Sequence, residues 1–305
     1  MDLRAKVALA PYTTFALGGP AALFLEAQAP GDIKEAYALA KQKGLPVVVL
    51  GGGSNVVVPD EGLNALVLRI TTQGIGREGS TLRCAAGEPL LGLVKYAAGQ
   101  GLGGLEPLAG IPGTVGGAVR GNAGAFGVEI KDVLVSARAL DTETGEEKVF
   151  AKSECDFSYR SSFFKRHPQL IVLEAELALA PADPMQADAK IMHTLAERHK
   201  RHIQDIRSAG SFFKNPVVSV DLQKLFKQDK SQESKEGRVP AGWLMDRAGL
   251  RGARVGGAVA SEYHTNYFLN AGDATAAQVK ELAALAKEKV FKEFGVTLEE
   301  EAVIL

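Results

Sequence analysis

Leu50 to Asp60 read LGGGSNVVVPD, three consecutive glycines set between two apolar runs. The preceding PVVVL (46–50) is β-branched and strand-forming, and Val56 to Val58 resume the pattern after the break. Glycines followed by serine and asparagine expose backbone N–H groups without Cβ obstruction, and such a run can approach phosphate oxygens closely. The same residues also suit a plain strand-to-strand turn, because Gly and Asn tolerate positive φ. The stretch matches neither GxxxxGK[ST] nor a GxGxxG that opens a helix, which argues against a P-loop kinase and a Rossmann dehydrogenase. A second stretch, GLEPLAGIPGTVGGAVRGNAGAFG (104–127), repeats the device over a length that exceeds a simple connection. Together they read as two backbone walls around a large phosphate-containing ligand. FAD, with a pyrophosphate and flat ring systems, would need that extent.

Around these stretches the pattern is α+β. DIKEAYALAKQKG (32–44) places Ile33, Ala36, Tyr37 and Ala40 at helical spacing, with Asp32 as N-cap and Gly44 as the stop. Strands are expected at 63–70, 82–86, 133–139, 147–151 and 170–180, with DTETG (141–145) as a hairpin turn. Helices are expected at 88–100, where Pro89 takes the first position, and over 181–202, 240–248 and 274–294. Residues 228–237 (QDKSQESKEG) read as an exposed loop and the final VTLEEEAVIL as a closing strand.

The chain has 305 residues, enough for two or three domains, and 46% of them are hydrophobic. Thirty-five basic residues face 36 acidic ones for a net charge of -1, so no strong field argues for a nucleic acid or membrane partner. Cys84 and Cys155 are isolated, which fits a reducing cytoplasm and supplies neither a disulfide framework nor a zinc site. No segment has a secretory h-region or a membrane-spanning apolar run. The five histidines, His167, His193, His199, His202 and His264, form no HExxH-like cluster, and His199 with His202 reads as a solvated basic helix face.

Read from the residues alone, the polar candidates keep ordinary alternatives. Tyr159 and Arg160 lie in DFSYRSSFFK, where an arginine can hold a carboxylate by two parallel bonds or make a surface ion pair. Ser211 in SAGSFFKNP has no nucleophile elbow around it and suits a turn or cap hydroxyl. Lys214 and Asn215 could sit in an exposed turn before Pro216. In the acidic run Glu299 to Glu301, alternation does not choose a functional member.

LGGGSNVVVPD, AGIPGTVGGAVRGNAGAFG, FSYRSSFF, AGSFFKNP and GWLMDRAGLRGARVGGA occur in an order that resembles the UDP-N-acetylenolpyruvoylglucosamine reductases, and TTFALGGPA (13–21) is similar to that family's opening segment. The resemblance spans nearly the whole chain. It implies an FAD-binding fold of the vanillyl-alcohol-oxidase type: one lobe from residues 1–70 and 296–305, a second from 71–200, and a substrate domain from 201–295. It implies NADPH as reductant of noncovalent FAD, UDP-N-acetylglucosamine enolpyruvate as substrate and UDP-N-acetylmuramate as product, in a cytoplasmic monomer. The cofactor would be held by Leu50, Gly51, Gly52, Gly53, Ser54 and Asn55, and by Ile111, Pro112, Gly113, Thr114, Gly116, Gly117, Asn122, Ala123, Gly124 and Ala125. Arg160 would face the enolpyruvyl carboxylate, Ser211 would give a proton to the substrate, and Glu301, the second acid of an LExE tail, would assist. Tyr159, Lys214, Asn215, His264 and Asn266 would bind substrate, although packing explains His264 and Asn266 equally well. No His or Cys in the glycine stretches could bond a flavin covalently. A bulky side chain at Gly52 is expected to weaken FAD retention before it disturbs folding. Two departures stand out. The residues before AGS read HIQDIRS, so the approach to Ser211, with Arg207, differs from the family's usual Pro-containing form. The short Ser211 to Trp243 spacing marks the class that lacks an inserted substrate-covering loop. The rivals are an FAD oxidase or dehydrogenase acting on an alcohol or hydroxy acid, and a nucleotide-sugar-binding protein without chemistry.

Overall fold

Val47–Leu50, the strand that runs into the glycines, pairs in parallel with Leu63–Ile70, with Leu50 opposite Arg69. Both belong to a four-stranded sheet ordered Arg4–Ala8, Pro20–Ala27, Leu63–Ile70, Val47–Leu50. The helix Pro30–Lys43 buries Ile33, Ala36 and Ala40, as its spacing predicts, and ends at Gly44 with φ 65°. Asp32 is not its N-cap. It sits three residues into the helix and accepts from the N–H groups of Gln28 (2.8 Å) and Ala29 (2.9 Å), since Pro30 already starts the turn.

The structure, a computed structural model, describes residues 2–201 and 206–305. His202 lies outside them. The chain forms two units: one comprises residues 1–7, 20–53 and 64–200, the other residues 8–19, 54–63 and 201–305. Residues 296–305 fall in the second unit, together with residues 8–19 and 54–63.

The first unit adds an antiparallel five-stranded sheet ordered Glu147–Ala151, Leu134–Asp141, Leu170–Ala178, Thr81–Ala85, Ile75–Glu78. Its inward residues, including Leu82, Ala137, Leu140 and Ala175, join the helix Leu90–Gly99 in one apolar core. The glycine-dense stretch 104–127 is more regular than expected. Thr114 caps a helix at Val115–Gly121, and Gly124–Ala125 pairs with Val128–Glu129. The short helix forms despite its glycines because Val115, Ala118 and Val119 are buried.

In the second unit, Phe212, Phe213 and Phe268 form an aromatic cluster, with Phe212 stacked on Phe268 at 4.4 Å and Phe213 edge-on to it at 5.8 Å. Helices Ala241–Arg247 and Ala276–Phe294 pack around it. A third helix, Val220–Lys230, is capped by Ser219 and absorbs Gln228 to Lys230 from the expected loop. The closing strand is only Val303–Ile304, paired in parallel with Val56–Val57. Asp60, the last residue of the opening stretch, accepts from the N–H groups of Ala276 (2.8 Å) and Ala277 (3.1 Å), placing negative charge at the start of the 19-residue helix. Among the described residues no helix is long and apolar enough to cross a membrane, and no group of three or more His, Cys, Asp or Glu could hold a metal.

Burial, reinforced by Glu88 and Glu174, pushes the Cys84 thiol up to about 12, and burial with Glu154 pushes Cys155 to about 11. Both cysteines are fully enclosed. Thiol reagents at mildly alkaline pH should therefore label neither until the protein unfolds. Because the folded values lie above the unfolded ones, the stability linked to these protons is complete below about pH 8.5 and is lost as pH rises toward the folded values. Chemical denaturation across that range should show the decline.

Candidate active site

The two glycine stretches meet. A Cβ added at Gly52 would lie 2.6 Å from Gly113 Cα, and one at Gly51 would lie 2.7 Å from Thr114 Oγ1. Gly53 and Gly113 have φ of 62° and 116°, which side-chain-bearing residues rarely adopt. Among the described residues, the N–H groups of Gly51, Gly52, Gly53 and Gly113 donate to no protein acceptor. Four glycine donors at one backbone crossing suit an anionic group such as a pyrophosphate, so the first-unit residues fit FAD.

Other members of the expected cofactor set have structural duties. Leu50 is buried in its strand. The Gly116 N–H donates to Ala86 O at 2.8 Å, and a Cβ there would sit 2.8 Å from Ala86 Cβ, so this glycine serves close packing. Asn122 is fully enclosed at φ 44°. Its amide donates to Glu129 Oε2 (3.0 Å) and Ser158 O (3.1 Å), and its Oδ1 accepts from Lys131 N (3.2 Å). The Asn122 side chain thus ties the second glycine stretch to the turn at Ser158. Thr114 caps its helix through Gly117 N. Ile111 N and Ala123 N donate to Leu108 O and Ala118 O, while Gly124 and Ala125 form the short hairpin. Pro112 lies between Ile111 and Gly113, at the crossing with Gly52.

Tyr159 and Arg160 form the tip of a tight turn in which Ser158 and Ser161 exchange two backbone bonds of 3.1 Å each. Arg160 holds φ 54°, a left-handed conformation that costs a side-chain-bearing residue roughly 1–2 kcal/mol. The surroundings enforce it. Arg160 Nη2 donates to Gly124 O (3.2 Å), Lys165 Nζ donates to Arg160 O (2.9 Å), and the guanidinium lies 5.3 Å from the Tyr159 ring centre. Ser162 Oγ donates to Arg120 O (2.7 Å), so the whole turn is pinned to residues 120–124 of the second glycine stretch.

In the second unit, residues 211–214 are held from two sides. Phe212 N donates to Asn266 O (2.7 Å), Phe213 N to Asn266 Oδ1 (2.9 Å), and Asn266 Nδ2 to Phe213 O (2.8 Å). Opposite, Glu301 N donates to Phe212 O (2.8 Å) and Lys214 N to Glu299 O (2.9 Å). The backbone of Glu301 is thereby bonded to Phe212, the residue that follows Ser211. The Ser211 hydroxyl makes no hydrogen bond among the described residues. Asn266 is 2% exposed, and both ends of its amide hold the segment that follows Ser211. Asn215 accepts from Ala241 N at 3.0 Å and starts the helix there, and its carbonyl accepts from Arg238. Lys214 Nζ pairs with Glu299 at 3.1 Å, and the His264 ring meets Tyr267 edge-on at 4.7 Å. Arg207 takes part through its carbonyl, which accepts from Asn270 N. Asn55 Nδ2 donates to Glu301 O at 3.0 Å, an engagement the sequence reading missed, and Ser54 precedes it in the same unit.

A family model described as an FAD binding domain matches residues 21–150, and one described as the C-terminal domain of UDP-N-acetylenolpyruvoylglucosamine reductase matches residues 201–305. A UDP-N-acetylenolpyruvoylglucosamine reductase of Solibacter usitatus is 36% identical over 301 residues, covering 99% of this chain and 96% of that protein. The chain belongs to the UDP-N-acetylenolpyruvoylglucosamine reductase family. Another member, from Synechococcus sp., is 38% identical over 306 residues, covering 99% of this chain and 91% of its own. The crystal structure of the reductase from Thermus caldophilus aligns over 99% of both chains with a TM-score of 0.78 and 34% identity. As a family member the chain is an FAD-dependent oxidoreductase, with an α+β fold whose FAD-binding domain is of the vanillyl-alcohol-oxidase type.

The Gly52 expectation changes with this geometry. Because the obstructing atom is backbone, Gly52→Ala should lower thermal stability and flavin content together, whereas Gly121→Ala, with nothing within 4 Å of its Cβ, should leave both near the parent. Thermal melts and the flavin-to-protein absorbance ratio check this. Asn266→Ala leaves two buried Phe213 backbone groups unpaired and should destabilise the protein by about 2–4 kcal/mol in urea unfolding.

Proposed function

We propose that this oxidoreductase reduces UDP-N-acetylglucosamine enolpyruvate to UDP-N-acetylmuramate, with NADPH as the reductant of its FAD. The family assignment supports the reaction, and the bond from Glu301 N to Phe212 O, which ties the tail to the segment carrying Ser211, supports the assignment of roles. The first unit supplies the cofactor donors, Gly51 to Gly53 and Gly113, and the second supplies the proton-handling pair. The lobes inferred for residues 1–70 with 296–305 and for residues 71–200, and the substrate domain at 201–295, belong to the same reading.

FAD, once bound between these donors and reduced by NADPH, would supply the hydride that the vinyl carbon accepts. The electron pair of the double bond then delocalises into the substrate carboxylate. Arg160 would meet that carboxylate with a planar, permanently charged fork, one nitrogen of which is held by Gly124 O. Ser211 gives its Oγ proton to the carbon next to the carboxylate, and Glu301 beside it supplies acid or electrostatic support. Lys214, with Tyr159 and His264, would orient the nucleotide sugar. The protein would act as a cytoplasmic monomer, consistent with two enclosed, unbridged cysteines.

The half-reactions separate these roles. Ser211→Ala should be reduced by NADPH at nearly the parent rate, while reoxidation of its flavin by the enolpyruvyl sugar should slow by roughly 10²–10⁴-fold, the usual weight of a positioned acid. Equal effects on both half-reactions would remove Ser211 from the proton transfer.

A further inference from the structure

We propose that Asn55, two residues beyond the glycine run, is the positioning residue of Glu301. The inference rests on the reading of Glu301 as the acid partner of Ser211.

The peptide of Glu301 is gripped at both ends. Its N–H donates to Phe212 O at 2.8 Å, and its carbonyl accepts from Asn55 Nδ2 at 3.0 Å. Glu301 lies outside any strand, so no regular ladder fixes it. Regular pairing begins only beyond it, at Val303 and Ile304 against Val56 and Val57, where Val303 N donates to Asn55 O at 2.9 Å and Leu305 N to Val57 O at 3.0 Å. Asn55 therefore holds the tail twice, once by its backbone carbonyl and once by its side chain. The other acids of the run have a different attachment. Glu299 and Glu300 also carry side-chain ion pairs near the surface, to Lys214 at 3.1 Å and to Lys287 at 2.5 Å, which contribute little, and the Glu299 carbonyl accepts from Lys214 N. Asparagine suits the task because its short stem carries an amide donor, whereas the isosteric aspartate would set a carboxylate against the Glu301 carbonyl. Glu301 is thus placed by the strand that leaves the glycine run as well as by the segment that carries Ser211.

The test compares FAD-saturated Asn55→Ala, Asn55→Asp, Glu301→Gln and the double variant Asn55→Ala/Glu301→Gln in anaerobic stopped-flow. The quantity read is the rate of flavin reoxidation by the enolpyruvyl sugar divided by the rate of reduction by NADPH. Asn55→Ala should lower this ratio about tenfold, the kinetic equivalent of one hydrogen bond. Asn55→Asp should lower it further, an order that a purely steric role would reverse. The double variant should be no slower than Glu301→Gln alone. An unchanged ratio in both Asn55 variants, with Glu301→Gln impaired, would overturn the positioning role and leave Glu301 in place. Additive slowing in the double variant would overturn it too, by showing that Asn55 acts apart from Glu301. An unchanged ratio in Glu301→Gln would instead sink the role of Glu301 itself.

Discussion

Gly52 and Gly113 bring two backbones so close that no side chain fits on the facing side, and this single approach organises the first unit. Thr114, beside Gly113, caps the helix Val115–Gly121, and that helix carries the chain to Asn122 and Gly124. These residues in turn receive the turn that displays Arg160. The glycines thus meet two demands at once. They let the backbones touch, and they leave a set of N–H donors without protein acceptors among the described residues, which is costly unless water or an anion engages them.

The second unit solves a comparable problem with different chemistry. Ser211 must be accessible yet fixed, and the segment carrying it gains rigidity from Phe212 and Phe213, whose rings are enclosed against Phe268. Asn266 holds one edge of that segment with its own side chain and carbonyl, and the tail from Glu299 to Glu301 holds the other. Three stretches distant in sequence therefore meet at two buried phenylalanines. Arg160 in the first unit is held in a comparable way: the local cost of its left-handed conformation is offset by bonds to Gly124 and Lys165.

Much of this was legible in the sequence. Val47–Leu50 and Leu63–Ile70 followed from β-branched runs, and the helices ending at Gly44 and Phe294 followed from spacing and caps. Residues 104–127 were harder, because glycine density masks a helix that is stabilised by tertiary burial rather than by propensity. Asn122, Asn215 and Asn266 have side chains that fit a ligand or the protein equally well, and only the fold reveals their bonds within the protein, to Glu129 and to backbone. The acidic tail was ambiguous for a related reason. Alternation presumes a strand, whereas Glu299 to Glu301 are set by individual bonds to Lys214, Lys287, Phe212 and Asn55.

Both units bear on one chemical cycle, in which flavin takes electrons from a nicotinamide and passes them to an enolpyruvyl double bond. The visible spectrum of the purified protein under anaerobic conditions tests that cycle most directly. NADPH should bleach the flavin absorbance, and one equivalent of UDP-N-acetylglucosamine enolpyruvate should restore it with formation of UDP-N-acetylmuramate. Protein that binds FAD and is bleached by NADPH but is not reoxidised by the enolpyruvyl sugar would contradict the assignment.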